Sequence, residues 1–526
     1  MGWTTGLLVC MAWIGVNAGG GTFYVATDGD DLAGDGSQAN PWATITGALD
    51  RVPAGSLILV EPGLYQGRIR LRGVFSPPVT VRSEVPYRAL LRHSGTVITC
   101  FDGVGITLEG FDIAHDPGAS GLVIQIQDLR GSPGGADATS QIVLRDNIIH
   151  NSVNNDLLKI NFGARDILVE GNLFFNQEGS DEHMDINGVE NVVVRRNILF
   201  NDFAGSGRTN NNDTSSFIVI KNSAGLAGSS GHLVEGNIFL NWEGSTGNNF
   251  ILIGEDGLAS FEAEDVLIQN NLFLGNSANV MRAAFGVKGG RNITFRNNTV
   301  SGDLPALAYA MRLNTEGLNP ANENIRFYNN IWSDPTGTMG AGNGSGSNDF
   351  SDTPPGETTS FTLSNNLYWN GGDSVPDNAA DLVNPSDDLA AWFGDPQLPD
   401  PANPLLPTWL GMSFASGNLR IAEEHARLAV LGIPGPGSIG LDVADAANSP
   451  ADDLLGNPRG AAPDVGALER APCQGDTNGD DQVDQADLDQ ALPLWNGSDA
   501  LGDLDGDGVV SVADLARIRS LFGPCL

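Results

Sequence analysis

One short phrase recurs through the middle of this 526-residue chain: an apolar strand, one or two polar residues, an Asn, and a second apolar strand. It reads IVLRDNIIH, ILVEGNLFF, VVVRRNILF, HLVEGNIFL, VLIQNNLFL, ITFRNNTVS, IRFYNNIWS and FTLSNNLYW. The marked residues are Asn147, Asn172, Asn197, Asn237, Asn271, Asn298, Asn330 and Asn366, at spacings of 25, 25, 40, 34, 27, 32 and 36. An earlier copy, ITLEGFDIA, carries Phe111 in the Asn place. A period near 25 built from several short strands marks a solenoid. The expected fold is all-β, a right-handed parallel β-helix with three strands per coil. Asn suits the bend between strands because it tolerates a left-handed backbone. Stacked coils would also align the Asn amides into a ladder. Longer spacings hold insertions, the largest between Asn197 and Asn237, and such loops build binding faces. The segment PWATITGALDRV has helical spacing and is expected to cap the apolar end of the solenoid.

Composition narrows the function classes. The chain has 27 Lys and Arg against 64 Asp and Glu, a net charge of −37 that repels nucleic acid. A hydrophobic share of 41% excludes global disorder. The apolar run from Leu7 to Val16, followed by Val16-Asn17-Ala18, is too short to span a bilayer and fits a signal peptide over 1–18. The expectation is a secreted or cell-surface monomer that does not span a membrane. Cys473 and Cys525 bracket the last segment as a disulfide closing a small domain would, while Cys100 is expected in the core. His150 and His232 fall near turns and are expected at the surface. Trp242, Trp332 and Trp369 follow Asn phrases, and most are expected to pack at coil corners, with a sugar-stacking platform as the alternative.

The entry FYVATDGDDLAGDGSQANPWATITGAL with LILVEPGLYQGRI resembles that of secreted β-helix proteins of the pectate-lyase-like superfamily. LLGNPRGAAPDVGALE at 454–469 resembles their closing segment, so the resemblance spans roughly 22–469 within a β-helix domain of 19–470. It implies the fold; the superfamily holds lyases, hydrolases, epimerases and proteins without known activity.

Residues 471–526 differ in kind. DTNGDDQVDQAD (476–487) and DLDGDGVVSVAD (503–514) each have the spacing by which a twelve-residue loop wraps Ca²⁺ in oxygen ligands. The expected ligands are Asp476, Asn478, Asp480, the carbonyl of Gln482 and Asp487 in the first loop. In the second they are Asp503, Asp505, Asp507, the carbonyl of Val509 and Asp514. With Asp at position twelve and helical runs after each loop, the segment resembles a type I dockerin. That resemblance implies two Ca²⁺ ions, a cohesin-type partner and tethering of a polysaccharide-degrading enzyme. Pro493 interrupts the first helix, and Gln485-Ala486 and Val512-Ala513 stand where hydroxyl residues often read the partner.

Only three lysines occur: Lys159, Lys221 and Lys288. Alternation along DLLKIN, HMDIN, FIVIK, AAFGVK and AYAMRL turns Leu158, Ile160, Met184, Ile186, Ile218, Ile220, Phe285, Val287, Met311 and Leu313 inward. It turns Lys159, His183, Asp185, Lys221, Lys288 and Arg312 outward as one charged ribbon, with Arg282, Glu255 and Asp256 beside it. Eliminating a uronate needs its carboxylate neutralised, by a cation or a further Ca²⁺, and a base for the neighbouring proton. Arg312, Arg282 and Lys288 are candidates for the clamp; Lys221, Lys159 or His183 for the base. FIVIKNSAG followed by GHLVEGNIF resembles the lysine region of alginate and dermatan lyases of this fold, but NNNDTSS replaces the acidic calcium ligands expected ahead of it. The opposing reading of the ribbon is a salt-bridge ladder. The leading expectation is cleavage of an acidic polysaccharide by β-elimination. The alternatives are a glycoside hydrolase using carboxylates among Asp181, Glu182, Asp185, Glu255 and Asp256, and a non-catalytic carbohydrate-binding protein.

Overall fold

A computed structural model describes residues 20–524 apart from 130–134, 136–137, 180, 209–213, 224–225, 227–228, 245–247, 276–280, 282, 303–308, 340–349, 471–473, 479–481, 499–501 and 506. The expected signal peptide, Arg282, Asp480, Cys473 and Cys525 therefore lie outside the described residues. Residues 22–393 wind through three long parallel sheets, each strand pairing with its counterpart one coil away. Sheet A holds the strands before each Asn, such as Ser140–Arg145, Arg165–Glu170 and Glu190–Arg195. Sheet B holds those after it, such as Ile148–His150, Leu173–Phe175 and Ile198–Phe200. Sheet C holds the lysine-bearing strands Leu158–Asn161, Ser216–Lys221 and Ala283–Lys288, together with Glu182–Asn187. This is a parallel β-helix.

The Asn ladder forms as the period requires. Seven side-chain amides each donate to the Oδ1 of the next, at 2.9 to 3.1 Å, from Asn147 through to Asn366. Every rung is fully buried. Each Oδ1 also accepts the backbone N–H of the preceding rung, and each Nδ2 also donates to a sheet A carbonyl, so no hydrogen-bonding capacity is left over. The ladder starts at the Phe111 N–H and ends on Asp388 Oδ2. Asn does not itself make the left-handed bend, contrary to expectation. Positive φ falls one residue earlier, at Asp146, Gly171, Arg196, Gly236, Asn270, Asn297, Asn329 and Asn365. Turning that residue aims the following side chain inward along the stack.

The inward residues of sheet C are all buried, as alternation demands, in one core with Ile142, Val169, Val194, Phe174 and Leu199. Trp242, Trp332 and Cys100 join it. The short helix Ile45–Leu49, capped by Thr44, lays Ile45, Ala48 and Leu49 into the same core near the first strands.

Sheet B is apolar on both faces because a later segment covers it. Ile148, Leu173, Ile198, Ile238 and Leu272 pack outward against Phe414, Ile421, Leu428, Leu454 and Leu468. The returning chain hydrogen-bonds the left-handed corner: Asn365 donates to Val443 O, Asn329 to Asp445 O and Asn270 to Asp452 O. The closing segment thus clasps the solenoid along sheet B.

Candidate functional site

The outward residues of sheet C form two rows, not the single ribbon expected. Register places Lys159 across from Asp185 and, four strands further, Arg312 across from Asp352. Lys221 lies opposite Asn187, two residues further along the strand, in the row that also holds Lys288. His183 leaves the surface altogether. The strand opening at Glu182 is buried at every position, and the His183 ring stacks on Phe217 with centroids 4.4 Å apart. Its Nε2 meets Asn201 Oδ1 at 3.1 Å, and burial holds its pKa down at about 3. It is a neutral core histidine and cannot serve as a base. His232 is likewise buried, accepting from the Val192 N–H, with its pKa pushed down to about 3 by burial. His150 stays at the margin, its Nε2 2.9 Å from Asp112 Oδ1.

At the start of two adjacent sheet C strands three buried carboxylates converge. Asp156 and Glu182 lie in corresponding positions one coil apart, the Glu182 N–H donating to Asp156 Oδ1 at 3.0 Å. Asp185 follows three residues on, and one oxygen from each of the three lies within 4.8 Å of the others. Burial pushes the Asp156 pKa up to about 6, aided by the Asp185 charge and opposed by Lys159. Burial raises Glu182 well above the usual carboxylate range, reinforced by the charges of Asp156, Glu255 and Asp185. Asp181, half-buried and adjacent in sequence, is raised for the same first reason. Burial of this much charge is costly unless cations compensate it.

Two lysines do so, both near Asp185 Oδ2. Lys159 Nζ hydrogen-bonds Asp185 Oδ2 and lies 3.4 Å from Asp156 Oδ2. Lys221 Nζ lies 3.9 Å from Asp185 but 2.5 Å from Glu255 Oε2 and 3.7 Å from Asp256 Oδ1. Burial works to lower both lysine pKa values, yet the surrounding carboxylates outweigh it and raise them. The Glu255-Asp256 turn is fixed by buried Glu262, which accepts the N–H groups of Glu255, Asp256, Gly257 and Leu258. Asp185 Oδ1 is buried and, among the described residues, accepts no hydrogen bond.

Further along the sheet, Lys288 pairs with Glu316 and Arg312 with Asp352 Oδ2 at 2.7 Å. Neither joins the carboxylate cluster. Three carboxylates that could hold a cation come from the two preceding coils, while residues 210–213 of NNNDTSS lie outside the described residues. Asp156 was not singled out in sequence; its signal was its place one coil before Glu182, just ahead of the Lys159 strand.

The second C-terminal loop gathers three carboxylates that could hold a cation, while 479–481 of the first lie outside the described residues. Asp503, Asp505 and Asp507 each bring an oxygen within 4.8 Å of the others, and Gly508 takes φ +88°. Asp514 at position twelve ties its loop to the helix Val512–Ser520, accepting from the N–H groups of Leu504, Asp505 and Ser511. Asp487 does the same ahead of Gln485–Ala491, accepting from Thr477, Asn478 and Asp484. Those backbone donors, that of Ser511 first, hold Asp514 near a pKa of about 2.

No protein-family model and no curated protein matches the chain. Among solved structures, the pectate lyase Pel9A aligns over 87% of this chain and 98% of its own, with TM-score 0.51 at 13% identity. The chain shares the fold of Pel9A. A GH136 lacto-N-biosidase from Eubacterium ramulus aligns over 71% of this chain and 66% of its own, with TM-score 0.44 and 12% identity. An alginate lyase from Paenibacillus sp. str. FPU-7 aligns over 71% and 98%, with TM-score 0.38 and 13% identity. The likeness to Pel9A is one of fold; the site rests on the residues described above. Among the described residues no helix is long and apolar enough to cross a membrane.

Proposed function

We propose that this protein is a secreted lyase that cleaves a uronate polysaccharide by β-elimination at the outer face of sheet C. The observation that carries the reading is the buried trio Asp156, Glu182 and Asp185, set beside Lys221, whose side chain is 11% exposed. That Pel9A is a pectate lyase supports it. The trio fits a hard divalent cation: all its donors are carboxylate oxygens, and among the described residues Asp185 Oδ1 accepts no hydrogen bond. Asp156, Glu182 and Asp185 would hold Ca²⁺, with Asp181 adjacent in sequence. When bound, it supplies positive charge that neutralises the substrate carboxylate and so acidifies the C5–H beside it.

Lys221 is placed as the base: against burial, the charges of Asp185, Glu255 and Glu182 raise its pKa in the cation-free cluster, and a cation seated among the trio would oppose that rise and free its amine. It sits at the edge of the cluster, whereas Lys159 is tied between two of the ligand carboxylates. Its amine takes the C5 proton, the C4–O bond breaks, a C4=C5 double bond forms, and the departing oxygen takes up a proton from water. Glu255 and Asp256 hold the Lys221 side chain toward the groove. Lys288, in the same row two strands on, is exposed enough to meet a neighbouring uronate of the bound chain. A hydrolase reading would draw on the proton held at Glu182. The carboxyl oxygens of the trio, however, lie within 4.8 Å of one another. That suits one shared cation better than the separations of roughly 5 to 9.5 Å that straddle a glycosidic bond.

Residues 471–526 are proposed as a dockerin that folds around two Ca²⁺ ions and docks a cohesin-type partner. The test is incubation with uronate and neutral glycans. Ultraviolet absorbance from unsaturated ends is expected on uronates only, abolished by chelator, and Lys221→Ala should lower the rate by about 10²- to 10⁴-fold. Reducing ends without that absorbance, or an undiminished Lys221→Ala variant, would refute the assignment.

A further inference from the structure

Lys159 occupies the space a cation would take. Its ammonium touches Asp185 Oδ2 and lies 3.4 Å from Asp156 Oδ2, two of the three carboxylates of the trio. Both carboxylates have only 1% of their side-chain surface exposed, so water compensates neither. Register fixes this placement, since Lys159 and Asp185 are directly paired across neighbouring strands. Lys221, by contrast, takes its closest contact from Glu255, outside the trio, and lies 3.9 Å from Asp185 Oδ2. The two lysines thus have different duties. A divalent ion seated among the trio would stand within a few ångströms of the Lys159 ammonium and compete for the same oxygens. The Lys159 side chain is 25% exposed, which leaves it a path outward.

We propose that Lys159 is a resident counter-ion that holds the empty carboxylate cluster together and is displaced when the cation binds, so that it weakens cation affinity. This rests on the cation-site reading above. It makes occupancy conditional: the site stays assembled where the free ion is scarce and fills only where the ion is abundant, as outside a cell. Lys159 is in this sense a positioning residue, acting through the ligand carboxylates.

The test is calorimetric Ca²⁺ titration of the full chain, with the C-terminal loops identical in every variant so that their contribution is common. Lys159→Met should bind Ca²⁺ at the trio roughly ten- to a hundredfold tighter than the parent. In chelator its unfolding midpoint should fall below that of the parent, and the gap should close or reverse on adding Ca²⁺. Lys159→Arg, which keeps the charge, should behave as the parent. Lys159→Gln, which keeps a donor for the carboxylates, provides the same affinity readout should the Met variant fold poorly. An ordinary structural ion pair would instead lower stability equally with and without Ca²⁺ and leave affinity unchanged. That result overturns the proposal. Asp185→Asn separates the two readings. If it abolishes a binding event that Lys159→Met fails to tighten, the cation site stands and the counter-ion role fails. If it alters no binding event, the site itself is wrong.

Discussion

The Asn ladder permits a worked prediction of stability. Asn237 is fully buried in mid-ladder. Its Oδ1 accepts both the backbone N–H and the Nδ2 of Asn197, at 3.0 and 2.9 Å, and its Nδ2 donates to Val194 O and to Asn271 Oδ1. Truncation to Ala leaves Asn271 Oδ1 with the Asn237 backbone N–H, which is unaffected. It orphans the Asn197 N–H, one Asn197 amide proton and Val194 O. A buried polar group left unmade costs about 1 to 3 kcal/mol, so three of them predict roughly 3 to 6 kcal/mol after partial relaxation. At the first rung, Asn147→Ala orphans only the Phe111 N–H and Leu108 O, and should cost about two-thirds as much. Asn237→Asp keeps the shape and the Oδ1 acceptor but sets an oxygen against Val194 O and Asn271 Oδ1 and buries a charge. It should be at least as damaging as Ala. Urea unfolding followed by far-ultraviolet circular dichroism reads all three. A loss below about 1 kcal/mol for Asn237→Ala, or an Asp variant milder than Ala, would show that shape, not hydrogen bonding, sustains the stack.

Two further outcomes follow. His183, His232 and His425 are buried and held neutral, with pKa values near 3, 3 and 4 because burial disfavours the charged ring. As pH falls below about 6.5 the unfolded chain takes up protons that the folded chain refuses, so stability falls by up to about 2 kcal/mol per histidine by pH 5. The raised carboxyls Asp146 and Asp156 act oppositely around pH 6. His232→Gln should therefore flatten the acid limb of a melting-temperature profile, and an unchanged limb would contradict this. In the closing segment, Leu428→Ala should cost about 2 to 5 kcal/mol, since Leu428 is buried against sheet B. Leu419→Ala, 59% exposed, should cost little; equal effects would mean that the clasp does not support the solenoid.

The sequence by itself determined the repeat and what the repeat enforces. A period near 25 with an Asn per turn has one stable outcome, stacked coils whose amides satisfy one another, and alternation then fixes which sheet C side chains face in. These are local rules, repeated coil by coil. The left-handed residue was misplaced by one because Asp146 and Arg196 carry no compositional sign of it; only the closed coil requires the bend there. Alternation also failed at His183, where the strand meets a corner and the aromatic interior around Phe217 takes up the ring. The candidate site was half legible. The three lysines marked the correct sheet, and Asp185 and Glu182 were in view. Stacking register decided the rest: it brought Asp156 level with Glu182 from 26 residues earlier and set Lys159 against Asp185. It also moved Lys221 two residues out of that row, where Glu255 and Asp256 meet it. Register between the later coils depends on insertions of 2 to 15 residues beyond the 25-residue period. The distance between two charges on neighbouring coils is therefore a property of the stack, and no single strand contains it.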